Sequence, residues 1–261
     1  LGEAQSLESL TVTWPGGKVT THQNLPANRR YTVHEKDAKA APGRPAKEPS
    51  IYVESDAFRG ARHWEMPFND FNLQPLLPNR LSQSGPGLAC GDIDGDGDDD
   101  FFLGGCAGYL GTLLVNDGNG RFSRNAFTAA KRHKISEDLG ALFFDADGDG
   151  DLDLYVVSGS VEAPPDHGSL TDRLYLNDGK GGFTPAPFGA VPLDPSSGSV
   201  VVAADYDRDG DLDLFVGGRV IPGSYPDAPR SRLLQNRGGR FTDVTFKSPT
   251  LLKPGLVTGA L

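Results

Sequence analysis

Three nine-residue acidic segments constrain this chain more than any other feature. They are Asp92-Ile93-Asp94-Gly95-Asp96-Gly97-Asp98-Asp99-Asp100, Asp145-Ala146-Asp147-Gly148-Asp149-Gly150-Asp151-Leu152-Asp153 and Asp205-Tyr206-Asp207-Arg208-Asp209-Gly210-Asp211-Leu212-Asp213. All fit D-x-D-x-D-G-D-x-D, with starts 53 and 60 residues apart. One supersecondary unit repeated at such a period marks a repeat architecture.

Alternating carboxylates at positions 1, 3 and 5 of a tight loop can converge on one point, while glycine at 6 permits the sharp turn. A backbone carbonyl at 7 and a carboxylate at 9 complete an oxygen cage suited to Ca²⁺, and less suited to Mg²⁺ with its stricter geometry. An EF-hand would need Glu at position 12 and flanking helices. Position 12 is Leu103, Val156 and Val216, and the flanks read as strands. A merely solvated acidic turn does not explain three copies in one register, and five crowded carboxylates without a counterion are costly.

Upstream of the loops lie residues 87–91, 140–144 and 200–204; downstream come Phe101-Phe102-Leu103, Leu154-Tyr155-Val156-Val157 and Leu214-Phe215-Val216. A second shared block follows, with Asn116-Asp117-Gly118, Asn177-Asp178-Gly179 or Asn236-Arg237-Gly238 between apolar runs. Short apolar runs around such turns are hairpin signals. Four short strands per ~60 residues predict propeller blades, without a helical period. The expected fold is all-β: a partial β-propeller of about three calcium-loop blades preceded by a small β segment.

Charge follows the same segments. The chain of 261 residues has 25 basic and 35 acidic side chains, a net charge of −10. The three loops hold 16 of those acids and one base (−15), leaving 19 acids against 24 bases (+5) elsewhere. Three Ca²⁺ would bring the total from −10 to −4. No basic stripe speaks for nucleic acid, and no run approaches ~18 apolar residues, as a membrane-spanning segment would. Two cysteines exclude a disulfide-stapled miniprotein and a four-cysteine zinc site. If residues 91 and 101 pair across the first hairpin, Cys90 meets about residue 102 and Cys106 falls out of register, so two small buried thiols are expected rather than a bridge.

The repeated loops resemble FG-GAP/VCBS repeats, the calcium-loop blades of integrin-α-type β-propellers, over about residues 84–247. The resemblance implies ligands at Asp92, Asp94, Asp96, Asp98 (carbonyl) and Asp100; at Asp145, Asp147, Asp149, Asp151 (carbonyl) and Asp153; and at Asp205, Asp207, Asp209, Asp211 (carbonyl) and Asp213. Arg208, at a position usually glycine, departs from the pattern. Residues 10–35, with Trp14-Pro15-Gly16-Gly17 and Ala27 to Glu35, are similar to the C-terminal part of the ASPIC/UnbV domain and read as strand, turn, strand, turn, strand.

The organisation expected is therefore an ASPIC/UnbV-like part at 1–35, a Pro/Ala/Lys-rich linker at 36–50, and a lead-in at 51–85 packing on the first blade. Repeats follow at 86–140, 141–199 and 200–247, with the first strand of a truncated fourth at 248–261. Leu1 and the abrupt apolar end read as a piece of a longer chain, whose remaining blades would be partners; three blades cannot close a ring, so exposed edges and poor stability alone are expected.

No nucleophile elbow, phosphate loop or dinucleotide fingerprint occurs, so no enzyme is expected. His63, Glu65 and Asp70 form the one constellation that could hold a metal or act as an acid–base pair; His133 and His167 read as solvent-facing. The resemblance implies an extracellular or cell-surface module (outer-membrane-associated if bacterial), with structural calcium. It would bind a protein or glycan through the loops at 104–112, 158–171 and 217–231. A polysaccharide-acting enzyme fragment and a structural spacer stand as the alternatives.

Overall fold

The apolar runs on either side of each acidic segment form antiparallel strands, as their β-branched and aromatic content demands. A computed structural model describes residues 5–40 and 56–261. The chain divides into two units, Leu1–Ser55 and Asp56–Leu261.

In the first unit β1 (Ser6–Thr13) and β2 (Lys18–Pro26) form a hairpin. Its turn is closed by Gly17 N donating to Trp14 O (2.9 Å), and Trp14 Nε1 donates to Thr20 Oγ1 (2.9 Å). The third strand does not lie within 27–35. It is β3 (Lys39–Ala40), which pairs with Lys18 and Val19 at the start of β2. The chain must run back along the length of β2 before it reaches those partners. The expected linker thus begins with a 3₁₀ turn (Glu35–Asp37) and a strand; its remainder, 41–50, and lead-in residues 51–55 lie outside the described residues.

The second unit holds three four-stranded meanders. The first is β4 (Leu88–Gly91), β5 (Asp100–Leu103), β6 (Thr112–Asn116) and β7 (Phe122–Ala126). The second is β8 (Asp138–Phe144), β9 (Asp153–Ser158), β10 (Arg173–Leu176) and β11 (Thr184–Pro185). The third is β12 (Gly198–Ala204), β13 (Asp213–Gly218), β14 (Arg232–Gln235) and β15 (Thr242–Asp243). The only α-helix among the described residues is α1 (Asp70–Leu73). The arrangement is propeller-like, and the sheets do not close a ring.

Adjacent sheets stack through two apolar cores. Phe102, Phe127, Phe143 and Tyr175 fill the first; Phe144, Tyr155, Val216 and Phe241 fill the second. First strands approach so closely that a Cβ on Gly87 would sit 2.8 Å from the Gly140 backbone. Ile93 and Ala146, second in their loops, are each 1% exposed beneath the following sheet. Their counterpart Tyr206, in the third sheet, is 41% exposed.

The lead-in reaches further than the first sheet. Phe58 stacks on Phe122 (4.6 Å) and meets Phe101 edge-on (5.2 Å), so its aromatics do cap that sheet. The chain then crosses to the third: Gln74 Nε2 donates to Tyr225 O (2.8 Å) and Tyr225 N to Gln74 Oε1 (3.0 Å). Leu81 is buried with Val161 and Val220. The loops at 158–171 and 217–231 are therefore partly covered by this strap.

Both cysteines are free thiols. The register is Gly91 with Asp100 and Cys90 with Phe101, one residue from expectation, and Cys90 is exposed rather than buried. Cys106 is fully buried. His133 is half-buried, its Nδ1 3.0 Å from the Tyr175 hydroxyl, because η-turn residues 128–133 fold onto the second sheet. His167 is exposed.

Asp172 lies at the junction of the second and third sheets, accepting from Tyr155 Oη (2.9 Å), Ser158 N (2.9 Å) and Arg232 (2.7 Å). Arg232 is 2% exposed. Removing one partner of a buried pair strands the other charge. Arg232→Met is expected to cost about 3–5 kcal/mol, read from urea unfolding.

Candidate metal centres

Each acidic loop joins the first and second strands of its sheet and is built the same way. Gly97, Gly150 and Gly210 adopt φ of 95°, 95° and 99°, a conformation that side chains resist. The turn brings backbone N–H groups onto the first aspartate. Asp92 accepts from Gly95 and Gly97 (2.8 and 2.9 Å), and Asp145 from Gly148 and Gly150 (2.8 and 3.1 Å). Asp205 accepts from Asp209 and Gly210 (3.1 and 3.2 Å). The fifth residues, Asp96, Asp149 and Asp209, each accept from the N–H two residues on.

The ninth aspartate has a structural task that the spacing alone does not reveal. Asp100 accepts from Ile93 N (3.0 Å) and Asn116 N (2.7 Å). Asp153 does so from Ala146 N (2.9 Å) and Asn177 N (2.8 Å), and Asp213 from Tyr206 N (3.1 Å) and Asn236 N (2.7 Å). All three are essentially buried. Each ties its own loop to the end of the third strand. The asparagine met there carries the tie onward. Asn177 Nδ2 donates to Leu152 O (3.1 Å) and to Ile93 O of the preceding loop (2.8 Å); Asn236 Nδ2 donates to Leu212 O (3.1 Å) and Ala146 O (2.7 Å). These asparagines were legible only as turn residues.

Carboxylate oxygens converge within 4.8 Å of one another in Asp92–Asp94–Asp96, in Asp145, Asp147 and Asp153, and in Asp205, Asp207 and Asp213. These groups could hold a metal ion. Asp149, Asp209 and Asp100 stand outside the tight clusters. The seventh side chains turn away toward the next hairpin: Asp211 Oδ2 accepts from Gly238 N (3.0 Å), and Asp98 and Asp151 lie against Gly118 and Gly179. That leaves their carbonyls as the only groups they could offer.

Electrostatics favours a cation. Burial, then the Asp96 charge, raises the Asp94 carboxyl; burial, then Asp149, raises Asp147. Burial pushes Asp153 up to about 6 despite its two N–H donors. Asp94 Oδ1 is buried without a hydrogen-bond partner. A divalent ion would relieve all of these.

Two substitutions at otherwise regular positions have physical explanations. Leu152 and Leu212 at position 8 pack against the cores next to the preceding meanders, whereas Asp99 is exposed on the first of the three meanders, which has no meander before it in the second unit. Arg208 holds φ of 66° where Gly95 and Gly148 hold 76° and 83°. The backbone survives the side chain but is strained by it.

The expected trio of His63, Glu65 and Asp70 separates. Asp70 is fully buried and accepts from Leu81 N, Ser82 N and Ser82 Oγ (2.8, 2.8 and 2.6 Å), tying the strap to itself. His63 and Glu65 remain paired at 2.9 Å.

Three loop-bearing four-stranded sheets in series define a propeller-type repeat module. A family model described as FG-GAP-like repeat matches residues 92–156 and 145–216, and one described as ASPIC and UnbV matches residues 1–40. The chain thus carries FG-GAP-like repeats, with an ASPIC/UnbV segment ahead of them. No curated protein matches it.

The two kinds of aspartate can be separated by mutation. Asp153→Ala is expected to lose about 2–4 kcal/mol even in EDTA, because two buried N–H groups lose their acceptor. Asp147→Asn is expected to leave stability in EDTA unchanged or higher and to weaken metal binding; paired melts with and without metal check both. Arg208→Gly is expected to stabilise the metal-free chain by up to about 1 kcal/mol, relieving the left-handed arginine.

Proposed function

We propose that the second unit is a calcium-stiffened binding module of an extracellular or cell-surface protein, and that it is not an enzyme. The observation that supports it best is the threefold recurrence of one carboxylate cluster on one hydrogen-bonded turn. The donor set is all oxygen, with backbone carbonyls at position 7 adding to the carboxylates, which suits a hard cation of flexible coordination. Bound calcium would neutralise each loop and hold its turn closed. No helix among the described residues is long and apolar enough to cross a membrane.

In a meander the second-to-third connections emerge at the end opposite the acidic turns. Of the three expected binding loops, 104–112 is the one beside exposed aromatics. Trp64 and Tyr109, each about half exposed, stack at 6.0 Å, and Arg62 lies 4.7 Å from the Trp64 ring centre. Arg124 and Lys134 line the same shallow cavity of about 400 Å³. Stacked aromatic faces ringed by cations suit a sugar ring bearing an acidic group. An acidic glycan is therefore the partner this surface favours.

Calorimetric titration of the metal-free chain should count three calcium sites. Each should add about 2.7 kcal/mol at free calcium a hundredfold above its Kd. A glycan array should show acidic sugars retained by the calcium-bound chain and lost in Trp64→Ala. Absence of calcium uptake, or turnover of a bound polysaccharide, would overturn the reading.

A further inference from the structure

At the end of the sheets opposite the acidic turns, beneath the strap, a different set of groups converges. Donor atoms of His63, Glu65 and Glu137 lie within 4.8 Å of one another. Glu137 is 4% exposed, and one of its carboxylate oxygens has no hydrogen-bond partner; the other accepts from Ala107 N (2.8 Å). Glu65 and Glu162 each carry a buried carboxylate oxygen that is likewise unpartnered. Native interiors rarely leave such atoms unpaired without an ion or water to meet them.

The imidazole sharpens the point. His63 Nδ1 lies 3.0 Å from Gly104 O, which can only accept, so Nδ1 carries the hydrogen. Nε2 lies 2.9 Å from Glu65 Oε1. In a neutral ring, Nε2 then presents its lone pair to a carboxylate. The contact requires either a proton on Nε2 or a metal ion bound by both atoms. A ring N–H fixed on a backbone carbonyl with the other nitrogen turned to carboxylates is the arrangement in which histidine ligates metals.

We propose that His63 Nε2, Glu65 and Glu137 form a binding site for a d-block divalent ion such as Zn²⁺, distinct from the three aspartate loops, with Glu162 as a nearby carboxylate. Imidazole mixed with carboxylates suits zinc and its neighbours better than calcium, which takes oxygen alone. The site draws on the strap (His63, Glu65), the segment entering β8 (Glu137) and the loop after β9 (Glu162), so an ion there would pin the strap to the sheets. A cavity of about 480 Å³, lined by Met66, Phe68, Ile135 and Pro164 together with Glu137 and Glu162, adjoins the cluster and gives an ion or its bound water a way in. Asp70, the acid that sequence pairing suggested, takes no part, because its oxygens are spent on the strap.

Zn²⁺ is titrated into the full chain in millimolar Ca²⁺, which keeps the aspartate loops filled. The expected result is one zinc per chain surviving desalting, with Co²⁺ in its place giving ligand-field absorption and a paramagnetically shifted imidazole N–H. Glu137→Gln removes one ligand charge from a buried position and is expected to fold; it should lower zinc affinity at least tenfold with calcium stoichiometry unchanged. His63→Gln should abolish the shifted imidazole resonance. Retention of full zinc affinity in Glu137→Gln, or a wild-type chain that takes up no zinc and holds only a protonated carboxyl cluster, overturns the proposal.

Discussion

The arrangement depends on one interaction repeated three times: the ninth aspartate of each acidic loop, buried and shared between two backbone N–H groups. Asp100, Asp153 and Asp213 fix the loop at its second residue and fix the sheet at the end of its third strand. In the second and third repeats the asparagine at that anchor, Asn177 or Asn236, then reaches the preceding loop. An acidic turn, a sheet and, in the second and third repeats, an inter-sheet joint are in this way one hydrogen-bonded unit. A cation held at such a turn would therefore act on the stacking of sheets as well as on local repulsion.

The opposite end is organised by the strap. It lays Phe58 on the first sheet, ties Asp70 to Leu81 and Ser82, and clasps Tyr225 through Gln74. The stacked Trp64 and Tyr109 and the His63–Glu65–Glu137 cluster both owe their existence to it, since each joins a strap residue to a loop of the sheets. The acidic turns and the strap's clusters thus lie at opposite ends of the strands.

Much was legible in the residues. The short apolar runs, the Asn-x-Gly turns and the aspartate spacing located all three meanders, because each is a local signal written in consecutive positions. What failed were signals that depend on distant chain. A third strand within 27–35 was misplaced because its partner lies at the far end of β2. Glu137 was passed over because nothing near it in sequence marks it; only the strap brings His63 and Glu65 to it. Asp70 looked like their neighbour at seven residues from His63, yet its side chain turns to Ser82.

The sequence by itself determined the repeat, the loop chemistry and the all-β class. Aspartates at alternate positions around a glycine can serve only a turn that gathers charge. Tertiary structure alone decided which aspartates become struts, Asp153 and Asp213 while also joining the carboxylate clusters, since that choice is made by the N–H groups of strands 16 to 24 residues away. It also decided that Asp99 is solvated where Leu152 and Leu212 are half-buried against the cores. The same position faces water or apolar core according to whether another sheet packs against it.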